Sequence, residues 1–130
     1  MAFQRLNPGS EALIAPVLQS YEERYVALGS ISSGTYNLDL SLSNLFTITL
    51  SSNVTFTFTN PPASDKSKPV TVILTQGAGG NKTATFTNAI YTDGIAPILS
   101  TGAGNVDVLT FFTINNGSSY FGTFALADVK

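Results

Sequence analysis

Residues 53–62 read Asn-Val-Thr-Phe-Thr-Phe-Thr-Asn-Pro-Pro. Val54, Phe56 and Phe58 alternate with Thr55, Thr57 and Thr59. A period of two in β-branched and aromatic side chains predicts a strand with one buried and one open face. Pro61 and Pro62 end it, because proline brings no N–H to a ladder. The pattern extends in both directions. Upstream, Tyr36, Leu38, Leu40 and Leu42 form one apolar row, and Phe46, Ile48 and Leu50 another. Downstream, Val70, Val72 and Leu74 form a third. Gly77, Gly79 and Gly80 read as a hairpin turn that sends Thr83–Thr87 back beside that strand. Asn105–Ile114 is apolar on both faces, with Leu109, Phe111 and Phe112, which predicts a central strand covered on both sides. Asn115-Asn116-Gly117 is a second hairpin signal, after which Ser119–Ala127 pairs back. Arg24–Leu28 reads as a further strand rather than the end of a helix starting near Pro16. About eight short strands with regular turn signals predict an all-β chain, an antiparallel β-sandwich of jelly-roll type.

The composition fits one such domain. The 130 residues are 43% hydrophobic and only 11% charged, with a net charge of −2. Roughly two-thirds of the unfolded surface of such a chain is buried on folding. Its open faces must be built from Thr, Ser, Asn and Gly. There is no Cys, so no disulfide or thiolate site. There is no His, which removes the commonest general base and metal ligand. Six basic residues and a pI near 4.7 argue against nucleic acid as a partner. No apolar run approaches the ~20 residues that span a bilayer, and residues 1–20 do not read as a secretory signal peptide. No enzyme activity, cofactor or metal is expected.

Five of the fourteen charged residues fall in the first 24: Arg5, Glu11, Glu22, Glu23 and Arg24. This segment also carries Pro8 and Pro16, which interrupt any long helix. The chain therefore divides into an N-terminal arm, residues 1–23, and a β domain, residues 24–130. The apolar arm residues Phe3, Leu6, Leu13, Ile14, Val17, Leu18 and Tyr21 cannot form a core of their own, which marks them as candidate partner-binding residues.

Two motifs are weighed and set aside. Gln76–Thr83 resembles a phosphate loop in its glycines, but the pattern needs Gly at positions 76 and 81 and a helix after the Lys-Thr pair. Asp39, Asp65, Asp93, Asp107 and Asp128 are too scattered for a calcium loop. Tyr91 and Tyr120 are the candidates for a sugar-stacking platform, since their polar tips suit a wet site.

Three blocks together carry a resemblance: Asn53–Pro62; Val70–Thr87 with its Leu-Thr-Gln and glycine-rich turn; and Ala96–Ser100 followed by Asn105–Phe112. Over residues 38–126 the chain resembles a β module of tailed-phage virion structural proteins. Many versions of that module carry Trp after the glycine-rich turn, where this chain has Phe86 and Tyr91. The resemblance implies a binding and assembly module without catalytic residues. A chain of module plus short arm suggests a capsid decoration, or cement, protein. It would sit on the outer capsid surface of the virion, bind the major capsid protein and itself as a homotrimer, and clamp neighbouring capsid subunits. The alternative is a small tail or tail-fibre component that binds a host surface glycan.

Overall fold

The computed structural model describes residues 15–130. Nine strands make up the regular structure: β1 (Val26–Ile31), β2 (Gly34–Asp39), β3 (Leu45–Leu50), β4 (Val54–Thr59), β5 (Val70–Gln76), β6 (Ala84–Phe86), β7 (Ala89–Ile90), β8 (Val106–Phe112) and β9 (Tyr120–Leu126). Among the described residues the one helical element is a 3-10 turn at Thr92–Gly94. The described residues are all-β, and Val26–Ile31 is a strand.

The pairing is mixed rather than antiparallel. One sheet has six strands in the order β1-β3-β5-β8-β9-β7, the other three in the order β2-β4-β6. Five of the seven pairings are parallel; only β5–β8 and β8–β9 run antiparallel. The first six strands alternate between sheets, so the chain winds, and each strand lands beside the one laid down a full circuit earlier. Parallel neighbours need a crossover, and here the crossover is a strand of the other sheet.

The glycine-rich segment after β5 is therefore a corner, not a hairpin. β6 leaves for the small sheet and pairs in parallel with β4. The glycines are needed for close approach. A Cβ at Gly77 would lie 2.4 Å from the Leu50 carbonyl oxygen, and one at Gly80 would lie 2.0 Å from that of Thr101. The buried Gln76 side chain locks the corner: its amide nitrogen donates to the Lys82 carbonyl at 2.8 Å, and its oxygen accepts from the Lys82 N–H at 2.9 Å. With β6 a strand and no helix following, the segment lacks the helix N-terminus that a phosphate loop requires.

Parallel winding stacks like on like. Tyr36, Phe56 and Phe86 are register partners in the small sheet and form an inward column, with ring centres 6.4 and 5.2 Å apart. Thr35, Thr55 and Thr85 form the matching outward column. Buried side chains of both sheets join one cluster. Phe58 lies 5.2 Å from Phe111 and 4.5 Å from Tyr120, and Phe86 lies 4.6 Å from Phe111. Burying each large apolar side chain stabilises the fold by about 1.5–3 kcal/mol.

β8 is central in its ladder, between β5 and β9. Its expected double cover is not found: Leu109 and Phe111 are buried, while Phe112 and Ile114 are exposed. The outer face of this end of the sheet is open.

Candidate binding surfaces

Two surfaces stand out, one on the arm and one on the open sheet face. Residues 15–25 are exposed throughout and form no strand. Val17 is 92% exposed, Leu18 63% and Tyr21 64%. The Arg24 carbonyl accepts a hydrogen bond from the Ser43 hydroxyl at 2.6 Å, just before β1 begins. Phe3, Leu6, Leu13 and Ile14 lie outside the described residues.

The second surface is an aromatic cleft at the β7–β9–β8 end. The hairpin at Asn116-Gly117 sets it up. Both residues have positive φ, 54° and 77°, and the Ser118 N–H donates to the Asn115 carbonyl. This tight turn places Phe112 opposite Phe121. Their rings stack with centres 5.0 Å apart and planes inclined by 22°. On the other side of β9, Ile90 is the register partner of Phe121. Tyr91 follows Ile90 and packs over the backbone of β9, edge-on to Phe111. Burial pushes the Tyr91 phenol above its ordinary pKa.

Cavities of about 300 and 390 Å³ adjoin Tyr91, both lined by Tyr91, Thr92, Gly122 and Thr123. The larger opens onto Ile90, Phe112 and Phe121. No charged side chain lines either one.

The two tyrosines singled out from the sequence do not share this cleft. Alternation along β9 turns Tyr120 inward, where it is 2% exposed and packs on Phe58. Its hydroxyl finds no hydrogen-bond partner among the described residues. The exposed rings of the cleft are instead Phe112 and Phe121, which sequence reasoning placed in the core or left unassigned.

The carboxylates serve the fold. Asp107 is 1% exposed and accepts from the Ser100 N–H and hydroxyl, each at 2.7 Å, and from the Asp128 N–H at 3.0 Å. It ties the loop before β8 and the C-terminal end to the strand. Asp39 accepts from the Asn60 amide, and from the Ser41 hydroxyl and N–H. These bonds, that of Asn60 first, hold its carboxyl below the ordinary carboxylate value. Asp65 pairs with Lys66 on the surface.

Compared with known proteins, the chain matches no family model, no curated protein and no solved structure.

Proposed function

We propose that the chain is a structural protein of a phage virion, a capsid decoration (cement) protein on the outer capsid surface. In this reading the two sheets pack as a β-sandwich body. The arm binds the major capsid protein, and the protein acts as a homotrimer that clamps neighbouring capsid subunits. The observation that carries the reading is the arm: Val17, Leu18 and Tyr21 stand in solvent on a segment with no strand partner, ahead of a closed core. Three large apolar side chains exposed in sequence mark a contact surface. The resemblance of residues 38–126 to virion β modules supplies the class of partner.

Each apolar arm residue buried against a shell contributes roughly 1.5–3 kcal/mol. Ordering the arm costs about 1–2 kcal/mol per residue, so single-copy affinity is modest and avidity among copies supplies the rest. The test is co-sedimentation with undecorated shells. The full-length protein is expected to bind, and a variant carrying Val17→Ser, Leu18→Ser and Tyr21→Ser is expected to remain in the supernatant. Wild-type protein that ignores every shell overturns the reading; a variant that binds at full strength moves the contact off the arm.

A further inference from the structure

We propose that the open edge of β6 seats an extended peptide: a segment of a partner protein, carrying an acidic side chain, adds there as a fourth strand of the small sheet. The proposal uses neither the arm nor the aromatic cleft, and it does not rest on the decoration role.

The two sheets end differently. The large sheet runs on past β5 through β8, β9 and β7, whereas the small one stops at β6, which has β4 as its one strand neighbour among the described residues. Hydrogen bonds fix which backbone groups lie outermost there. The Thr83 carbonyl accepts from the Val54 N–H, and the Thr87 N–H donates to the Phe56 carbonyl, both across to β4. Backbone groups alternate between the two sides of a strand, so Ala84 turns its N–H and carbonyl, and Phe86 its N–H, away from β4. Segment 96–101 faces β6 across a cavity of about 300 Å³. Among the described residues one backbone bond joins the two walls, from the Asn81 N–H to the Thr101 carbonyl at 2.8 Å, and it closes one end. Thr83, Ala84 and Thr85 all line the cavity, so it follows the edge of the strand rather than one face. Pro97, Ile98 and Leu99 form the opposite wall. That wall is held in place, because Ser100 bonds twice to the buried Asp107.

Three features select the occupant. A donor, an acceptor and a donor at strand spacing match the carbonyl, N–H and carbonyl of another extended backbone, which is why open strand edges take up peptides. Ile98, 85% exposed, gives an apolar side chain of that peptide a surface to lie on. Lys82 is the one charged residue lining the cavity, and it makes no ion pair among the described residues. An acidic side chain on the peptide supplies its partner. β6 is three residues long, so the added ladder is short, and the charge and the Ile98 contact carry the selectivity.

The test uses the full-length protein. A random peptide library is selected on the immobilised protein, and the enriched peptide is synthesised with blocked ends. Amide hydrogen exchange in the free protein should be fast at Ala84 and Phe86 and slow at Thr85 and Thr87, whose N–H groups face β4. The enriched peptide should carry Asp or Glu and should slow exchange at Ala84 and Phe86. Lys82→Glu should weaken its binding roughly tenfold, and a peptide with the acid replaced by Lys should restore it. Ala84→Pro removes an N–H that faces the groove and none that faces β4, so it should keep the fold and abolish binding. The Lys82→Glu charge swap reads the same site if the proline variant fails to fold. The proposal is overturned if no peptide is enriched, if the enriched peptide leaves exchange at Ala84 and Phe86 unchanged, or if the charge swap restores nothing. It is overturned equally if those two amides are already slow in the free protein; a dependence on protein concentration would then name a second copy as the occupant. Shell co-sedimentation reads the decoration role separately, and either idea can fail without the other.

Discussion

Tyr91 occupies the space that a side chain at position 122 would fill. A Cβ built on Gly122 falls 2.5 Å from a ring carbon of Tyr91 and 2.9 Å from one of Phe111. The cleft floor is thus made by a missing side chain on β9. Gly122→Ala should force the Tyr91 ring outward and cost about 1–3 kcal/mol, the usual range for overpacking. Urea denaturation of the single and double variants checks this. Most of the loss should vanish when Gly122→Ala is combined with Tyr91→Ala, because the two changes share one space.

The register of β4 separates two neighbouring substitutions. Phe56 is fully buried between Tyr36 and Phe86, whereas Thr57 faces out beside Thr87. Phe56→Ala should cost about 3–5 kcal/mol. Thr57→Ala should cost less than about 1 kcal/mol. Equal costs in chemical denaturation would contradict the register.

Tyr120→Phe tests the orphaned hydroxyl. That oxygen is buried without a partner, so its removal should be neutral or should stabilise by up to about 1 kcal/mol. A fall in Tm would show that the hydroxyl is satisfied in solution.

Alkaline pH should weaken the fold through the same two tyrosines. Burial raises the pKa of Tyr91 and Tyr120 in the folded state. The folded protein therefore holds the phenolic protons more tightly than the unfolded chain, whose tyrosines titrate near about 10. Their stabilisation is complete below that value and is lost as pH rises through the raised folded values. Tm measured from pH 8 to 11 should drop at the upper end, and the drop should shrink in a Tyr91→Phe/Tyr120→Phe variant.

Alternation in the sequence located the buried rows, because side chains at i and i+2 share a face whatever the neighbouring strand does; it overran only at Leu42, which lies in the turn beyond the end of β2 and is 60% exposed. For that same reason it carries no direction. Phe56 points inward equally in a parallel or an antiparallel ladder, so the winding was not legible. Gly77 and Gly80 misled in the same way: the close approach to Leu50 and Thr101 that requires them depends on segments distant in sequence. The aromatic cleft, in contrast, was within reach. A two-residue turn at Asn116-Gly117 pairs residues symmetrically about it, which sets Phe112 against Phe121 and turns Tyr120 to the opposite face. What the pattern of β8 could not reveal was whether another layer lay over Phe112.

The winding also has a history in time. Among the described residues one pairing alone, β8–β9, joins strands adjacent in the chain. Every other ladder must wait for a long loop to close, and closure entropy precedes its reward. The β8–β9 hairpin is the one unit able to zip locally, and it leaves the ribosome after every strand it must complete. The earlier strands emerge with exposed edges and no local mate, so this domain should fold slowly and only once β8 and β9 have emerged. During that interval its unpaired Thr- and Phe-rich strands are open to the wrong neighbour.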